Sequence, residues 1–296
     1  MDLEFIKERV KSVKVLPTFP SIVTEVLNIL NDPKSSAKDL AEKMDGSITG
    51  EILRVANSAY YGTRSYRTIK SVEHAIAIIG FETLSSLVLQ MPFLDLLPRG
   101  RRDFDEEGYL IHSMFVGVLS KEIGRSLKMG DPNTLYVCGI IHDIGKIIIY
   151  TLFSEKWTEI LGLMNEKGLK SYEAEQEILG IDHGFVGGIL LDNWNIPDLI
   201  VDTVKFHHSP KSAEIDVGSA MCVQVGDFIS LFLKDPLSVE NGKKLKEMLK
   251  GAILYSDECE IIREKLKEED MDEMVSTLIE AKSLIEGLKN DKGACC

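Results

Sequence analysis

Apolar residues recur every three or four positions along nearly the whole of this 296-residue chain. Such spacing places apolar side chains on one face of a helix, and alternating runs of β-branched residues, which mark strands, are missing. The predicted fold class is therefore all-α. In the second half of the chain we expect helices over residues 109–127, 133–152, 155–167, 171–179, 182–194, 197–208 and 213–233.

Helix-breaking and capping residues divide the N-terminal part of the chain. Pro17 and Pro20 separate a short amphipathic segment from a second helix, which ends at Asp32-Pro33. Ser71 is placed to cap a later helix that runs to Gly80, a residue type common at helix ends.

A run of charged residues over positions 98–108 is the best candidate for a linker or a solvated loop between two lobes. We therefore predict an N-terminal helical lobe over residues 1–97 and a second helical lobe over residues 98–235. A charge-rich stretch with apolar residues at helical spacing follows. It predicts a helical C-terminal extension over residues 236–296 with a disordered end.

Composition narrows the function classes. Hydrophobic residues make up 44% of the chain and charged residues 27%, which is ordinary for a globular protein. No apolar run reaches about 18 residues, so no membrane association is expected and a cytoplasmic location is the default. The net charge of −13 argues against broad nucleic-acid binding. The cysteines form no CxxC pair, and Cys138 and Cys222 are predicted to be core residues.

The most informative stretch is Gly139–Tyr150, which reads GIIHDIGKIIIY. His142 and Asp143 stand side by side in an otherwise apolar run, and Lys146 follows three positions later. A buried imidazole beside a buried carboxylate is costly unless each group is paired or holds a metal ion. The pair alone leaves two interpretations open, a structural hydrogen bond in a core helix and a functional site.

Five of the six histidines lie in the second lobe, and helical phase directs most of them inward. His112 shares a helix face with apolar residues, as does His183, and Asp227 aligns with Val223 in the same way. Each of these residues, like the His207-His208 pair at a helix end, has a structural explanation when it is considered alone.

Together, five histidines and two aspartates would leave many unpaired polar groups in one core unless they meet at a common ligand. A cation is the natural common ligand. Imidazole nitrogens combined with a few carboxylate oxygens suit iron, manganese, zinc or nickel, whereas magnesium and calcium prefer oxygen ligands. Asp143 has two oxygens and is able to bridge two ions, so one or two divalent transition-metal ions are expected.

The order of these residues resembles the metal ligands of HD-domain phosphohydrolases and of their binuclear HD-GYP branch. The resemblance implies that Asp143 bridges the metals and takes part in catalysis, and that Lys146 contacts a substrate phosphate. It implies the following metal ligands: His112, His142, Asp143, His183, His207, His208 and Asp227. The chain departs from the HD-GYP pattern after His208, where Ser209-Pro210-Lys211 replaces a glutamate and a Gly-Tyr-Pro loop.

The first lobe resembles the HDOD domain, an HD-related output domain of bacterial signalling proteins. The resemblance covers about residues 13–211, and its motifs are LPTFPSIVTEVLNILNDP (16–33), RVANSAYYG (54–62) and IKSVEHAIAIIGFETLSSLVL (69–89). It implies a helical regulatory module with a signalling protein as partner. HDOD proteins often have a degraded metal site, whereas this chain keeps the full ligand set.

Three functions follow as hypotheses. The first is a signal-transduction output protein that uses a metal ion, or a nucleotide at the same site, to set its shape for a partner. The second is a metal-dependent phosphohydrolase or phosphodiesterase that acts on a phosphoester or cyclic nucleotide. The third is DNA binding, because Ser36–Ser58 is similar to a helix-turn-helix. The local excess of basic residues is small, so nucleic acid is not the expected partner.

Overall fold

The computed structural model describes residues 2–13, 19–31, 53, 69–79, 89, 104–232, 242–255, 263 and 265–289. Every regular element in these ranges is helical, which confirms the all-α prediction. The α-helices are α1 (Leu3–Lys11), α2 (Phe19–Asn31), α3 (Val72–Ile79), α4 (Glu106–Leu127), α5 (Pro132–Ile141), α6 (Ile144–Leu152), α7 (Ser154–Lys167), α8 (Ser171–Leu179), α9 (His183–Asn193), α10 (Asp198–Lys205), α11 (Val217–Phe232), α12 (Gly242–Tyr255) and α13 (Glu268–Lys289).

The helix predicted over residues 133–152 is in fact two helices, α5 and α6, which are separated by a turn at His142-Asp143. In a continuous helix the Gly139 carbonyl would accept a hydrogen bond from the backbone N–H of residue 143. Here that carbonyl accepts from the ring Nδ1 of His142, at 2.8 Å. The break between the two helices therefore coincides with a hydrogen bond that fixes a histidine ring.

The helix predicted over residues 197–208 ends earlier, at Lys205, so that His207 and His208 lie in the turn that follows. Similarly, the helix predicted from residue 213 begins at Val217, after a 3₁₀ turn at Pro210–Ser212. The carboxylate of Asp202 accepts from the backbone N–H groups of residues 214 and 215, at 3.1 and 2.9 Å. These bonds hold the connecting segment in a non-helical path.

The central part of the core is the packing of α4 against α5 and α11. Gly117 and Gly139 meet where α4 crosses α5, and a Cβ at Gly139 would lie 2.7 Å from the Gly117 Cα. Side chains that are fully buried around this crossing include Phe115 and Tyr136. Cys138 and Cys222 are buried as well, which confirms their assignment to the core.

A second close crossing joins α6 to α9. A Cβ at Gly145 would lie within 2.7 Å of the carbonyl carbon of His183 and 2.9 Å from the backbone nitrogen of Gly187. Both contacts are to backbone atoms, which cannot move aside by changing rotamer. The two helices are therefore held at a separation that only glycine allows at position 145.

The expectation that no apolar run reaches about 18 residues is wrong for residues 132–152, which span α5 and α6 and form the one stretch within the described ranges with the length and hydropathy of a membrane span. In this protein 83% of its most apolar window is buried, as is usual for the core of a folded protein. After residue 235 the structure describes α12 and α13, and α13 contacts α4 through the ion pair between Arg125 and Glu273.

Several predictions fall on residues that the structure does not describe. These are the lobe boundaries at residues 97/98 and 235/236, the motif at 54–62, and the helix-turn-helix pattern at 36–58 apart from residue 53. The helix that Ser71 was predicted to cap is present as α3. The Ser71 hydroxyl accepts from the backbone N–H of His74 at 3.2 Å.

Candidate metal centre

Helices between residues 106 and 232 bring every predicted metal ligand into one cluster. Helix α4 supplies His112, the turn between α5 and α6 supplies His142 and Asp143, and α9 begins with His183. The turn after α10 supplies His207 and His208, and α11 supplies Asp227. Most of these side chains are buried. In chain order the clustered residues, with the neighbouring lysine, are His112, His142, Asp143, Lys146, His183, His207, His208 and Asp227.

Local sequence explains how His183 reaches the cluster. Gly180 ends α8 with a φ of 85°, a left-handed conformation that glycine adopts without steric cost. Asp182 then caps α9 by accepting from the backbone N–H of Phe185 at 2.9 Å. His183 is therefore the first residue of α9, directly beside the close crossing at Gly145.

One half of the cluster contains His112, His142 and Asp227. The Nε2 atoms of the two histidines are 3.3 Å apart, and the His112 Nε2 lies 3.2 Å from Oδ1 of Asp227. Oδ1 of Asp227 is also 3.8 Å from Nε2 of His142. Three potential ligand atoms thus surround one point.

The other half contains His183, His207 and His208. Nε2 of His183 lies 2.8 Å from Nε2 of His208, and the rings of His207 and His208 are 3.9 Å apart between centroids. One nitrogen from each of the three rings lies within 4.8 Å of the others. This half therefore offers a set of nitrogen donors.

Asp143 lies between the two halves. Its Oδ1 is 2.9 Å from Nε2 of His183 and 3.4 Å from Nε2 of His142, and its Oδ2 is 3.4 Å from Nε2 of His112. The same Oδ2 accepts from Nζ of Lys146 at 2.6 Å. A single carboxylate is thus shared by both groups of histidines, which is the arrangement that a bridge between two cations requires.

In two of the histidines, His142 and His207, the Nδ1 atom is occupied away from the centre. His142 donates through Nδ1 to the Gly139 carbonyl at 2.8 Å, and His207 donates through Nδ1 to the Val204 carbonyl at 2.6 Å. Because a carbonyl only accepts, each Nδ1 carries a hydrogen, and each Nε2 faces the centre, where a ring without a second proton offers a lone pair. Hydrogen bonds of this kind are the usual means of orienting a metal-binding histidine.

These nitrogens fit a cation. Within the described residues, Nε2 of His207 is buried without a hydrogen-bond partner, and Oδ1 of Asp143 and Oδ1 of Asp227 face histidine Nε2 atoms. Two imidazole lone pairs that face each other at about 3 Å repel unless a proton or a metal ion lies between them. The donor set, mainly nitrogen with a few carboxylate oxygens, matches divalent transition metals such as iron, manganese, zinc or nickel.

The carboxylates stay ionised despite their burial. Burial on its own raises the pKa of Asp143, but His142 and Lys146 outweigh this effect and hold the pKa well below its usual range. Burial likewise raises the pKa of Asp227, and the neighbouring rings of His112 and His142 lower it well below the usual range. Two buried negative charges in one cluster demand compensating positive charge.

Protein groups provide part of that compensation. Burial lowers the pKa of His112, but the hydrogen bonds and charges of Asp143 and Asp227 outweigh burial and raise the pKa to about 9. Burial also lowers the pKa of His183, and the charge of Glu175 is the main reason that it rises to about 9. Protons on these two rings therefore balance the carboxylates when protein atoms alone are present.

His207 and His208 behave in the opposite way. Burial, followed by repulsion from His142 and His183, lowers the pKa of His207 to about 3. Burial and the neighbouring His207 lower the pKa of His208 well below its ordinary value. Both rings are consequently neutral at physiological pH, which is the protonation state that a metal ligand requires.

The structure adds a residue that the sequence interpretation missed. Glu175 is completely buried, and its Oε2 accepts from both Nδ1 and the backbone N–H of His183, each at 2.6 Å. Glu175 occupies the same helix face as Ala174 and Leu179, which are buried. A charged residue in the middle of that apolar face was the available signal, because such a residue is rarely buried without a specific partner.

Two further contacts complete the cluster. The Ser230 hydroxyl lies 3.0 Å from Nδ1 of His112, so it orients that ring across the gap between α4 and α11. The ring of Tyr172 stacks on that of His208, with centroids 4.2 Å apart and 23° between the planes. Neither residue belongs to the set predicted from the sequence.

A known protein family matches most of this chain. The sequence profile of the HDOD domain matches residues 16–210. A curated relative, an uncharacterized protein from Treponema pallidum (strain Nichols), is 21% identical over 199 residues. That match covers 66% of this chain but only 38% of the relative, so the chain spans well under half of that protein's length.

Solved structures share the fold. An HDOD domain protein of unknown function from Geobacter sulfurreducens is 23% identical, with a TM-score of 0.62 over 97% of this chain and 99% of its own. A candidate phosphohydrolase from Shewanella amazonensis SB2B is 22% identical, with a TM-score of 0.62 over 95% and 97%. A candidate signal transduction protein from Marinobacter aquaeolei VT8 is 16% identical, with a TM-score of 0.61 over 98% and 64%.

Proposed function

Because this chain belongs to the HDOD domain family and gathers a complete set of metal-ligand side chains, we propose that it is a metal-dependent phosphohydrolase. One or two divalent transition-metal ions would be held by His112, His142 and Asp227 on one side, and by the remaining histidines on the other. Asp143 would join the two sides. The observation that carries the proposal is the convergence of Nε2 atoms on shared, buried carboxylate oxygens.

The bound ions would supply Lewis acidity, which activates water and polarises a phosphoryl group. The protein's own groups perform the remaining tasks. Lys146, whose side chain is 19% exposed, places a cation at the edge of the cluster, where a phosphate oxygen approaches. Asp143 holds this lysine in position, and burial of the cluster keeps bulk water away from the reacting atoms.

Metal content is the first test. Protein purified without chelators or a His-tag should contain one to two equivalents of iron, manganese, zinc or nickel by inductively coupled plasma mass spectrometry. His207→Ala should lose metal, because His207 offers a buried nitrogen to the centre. His74→Ala is the matched control, because His74 lies on α3 outside the cluster. Wild-type protein that stays folded but takes up no added metal would refute the proposal.

Turnover is the second test. Metal-loaded protein should hydrolyse phosphoesters or cyclic nucleotides in a substrate screen, and Lys146→Ala should abolish turnover while the metal stays bound. Lys146 neutralises Asp143 but offers no ligand atom to a cation, so its removal leaves the ligand set intact. Equal turnover in wild type and Lys146→Ala would remove Lys146 from the mechanism.

A second candidate is a regulatory output module that uses the same metal centre to set its shape for a signalling protein. One observation favours it: Nζ of Lys146 is bonded to Asp143 at 2.6 Å, so its charge is already committed inside the protein. A signalling role also agrees with the HDOD resemblance. A metal-loaded protein without turnover on any phosphoester, whose hydrogen exchange changes when metal is removed, would support this candidate over the enzyme.

A further inference from the structure

A cavity of about 580 Å³ opens directly onto the metal centre. Lys146, His208 and Asp227 are among its lining residues, so an occupant of the cavity lies beside the cluster. Its volume is within the range of sites that bind small organic molecules, about 300–1,000 Å³. A bare phosphate ion would leave most of this space unfilled.

The walls of the cavity are mainly apolar and aromatic. Trp157 and Met164 come from α7, Tyr172 comes from α8, and Phe228 and Phe232 come from α11. Phe232 is 42% exposed and lines the cavity, so part of its apolar surface is open to a ligand. Planar rings on several sides favour a flat, apolar group as the occupant.

Away from the metal cluster, two side-chain atoms of the described wall are buried without a hydrogen-bond partner, Nε1 of Trp157 and Oε1 of Glu175. Glu175 borders the cavity and is completely buried, and its Oε2 is used by His183. Its Oε1, however, is buried without a hydrogen-bond partner among the described residues. A buried carboxylate oxygen that accepts nothing is costly, whereas a ligand N–H or O–H donor would satisfy it.

The charge of the wall limits the ligand's charge. Among the lining residues that the structure describes, Lys146 and Lys170 are the cations, and Lys146 is already paired with Asp143. Glu175 and Asp227 bring two negative charges to the same space. Apart from the metal centre, the cavity offers little to neutralise a chain of phosphates.

We propose that this cavity binds the organic part of the substrate, and that it selects esters of a single phosphate with a planar, apolar group that carries a hydrogen-bond donor. The phosphate lies at the metal centre beside Lys146, the planar group lies among Trp157, Tyr172 and Phe228, and the donor faces Glu175. This inference rests on the proposed function, because it places the phosphate at the bound metal.

Phosphonates test the proposal without hydrolysis, because their carbon–phosphorus bond has no ester oxygen to cleave. Phenylphosphonate and methylphosphonate differ in the group on phosphorus, which is a planar ring in the first and a methyl group in the second. Isothermal titration calorimetry of the metal-loaded protein should show that phenylphosphonate binds at least about tenfold more tightly, because the ring leaves water for an apolar wall. Phe228→Ala should remove most of this preference and leave methylphosphonate binding unchanged.

Phe5→Ala is the matched control, because Phe5 is 49% exposed and lies outside the cavity. It should keep the full preference. The ortho, meta and para aminophenylphosphonates test Glu175 from the ligand side, since a change at Glu175 would also disturb His183. At least one isomer should bind about tenfold more tightly than phenylphosphonate. If none does, the role assigned to Glu175 is wrong.

The outcomes separate this inference from the proposed function. Metal-dependent binding of both phosphonates with equal affinity would overturn the cavity proposal and leave the metal-dependent phosphate site in place. Binding of neither phosphonate to metal-loaded protein would overturn both. Phenylphosphonate binding that is equally tight after metal removal would show that the ring binds without the phosphate anchor, which also contradicts the proposal.

Discussion

Replacing Gly145 with alanine tests the crossing of α6 and α9, on which the metal centre depends. The new Cβ would lie 2.7 Å from the carbonyl carbon of His183 and 2.9 Å from the backbone nitrogen of Gly187, and closer still to the His183 carbonyl oxygen. Real Cβ atoms essentially never approach other heavy atoms within 3.0 Å, so the helices must separate.

The expected cost is large for a single methyl group. Overpacking of a core usually destabilises a protein by about 1–3 kcal/mol, and here no side-chain rotation relieves the contact. We therefore expect Gly145→Ala to lower the free energy of unfolding by about 3 kcal/mol. Since Nε2 of His183 lies 2.9 Å from Oδ1 of Asp143, separation of the helices also pulls apart two proposed metal ligands.

Gly162→Ala is the matched control, because a Cβ at Gly162 on α7 would meet no atom within 4 Å. Alanine should stabilise that helix by about 0.5–1 kcal/mol relative to glycine. Guanidinium chloride unfolding followed by circular dichroism measures both variants, and mass spectrometry gives their metal content. If Gly145→Ala unfolds at the wild-type midpoint and keeps its metal, the proposed crossing geometry is refuted.

Three further predictions concern the cluster and the core around it. Glu175→Gln should weaken metal binding about 10- to 100-fold, because the ring of His183 loses its charged partner. Glu177→Gln, on the exposed face of α8, should bind metal as tightly as the wild type. Equal metal affinities of Glu175→Gln and the wild type would contradict this prediction. Metal uptake at pH 7 should release up to two protons, seen as buffer-dependent calorimetric heats, because the pKa values of His112 and His183 are about 9. The affinity for metal should therefore fall about tenfold per displaced proton for each pH unit below 9. A metal affinity that does not depend on pH would refute the assignment of these protons to His112 and His183. Cys138 should resist iodoacetamide at pH 8 in the native protein, because burial raises the pKa of its thiol to about 12; rapid labelling would contradict its place in the core.

Between residues 104 and 232, the sequence predicts the helices well where their ends carry local signals. The predicted helix over residues 171–179 coincides with α8, which Gly180 ends with a positive φ. The break between α5 and α6 could not be predicted in this way. Apolar residues continue on both sides of His142, and the turn depends on the hydrogen bond between its ring and the Gly139 carbonyl.

The same distinction holds for the candidate site. His112, His183 and Asp227 could be selected because polar residues on apolar helix faces need partners. Glu175 satisfies the same criterion but has no neighbouring motif to draw attention to it. Its pairing with His183 depends on how α8 packs beside α9, which periodicity does not reveal. Likewise, the contact between Ser230 and His112 joins positions 118 residues apart.

These sequence separations also imply an order of assembly during folding. The rings of His142 and His207 are each oriented by a carbonyl three residues earlier, so those contacts form as soon as the adjacent helix ends form. The contact of His112 with Ser230 must wait until α4 and α11 meet, because closing so long a loop costs more chain entropy. A refolding chain therefore gains its oriented histidines early and its full capacity for metal only late, which makes metal uptake a kinetic marker for completion of this lobe.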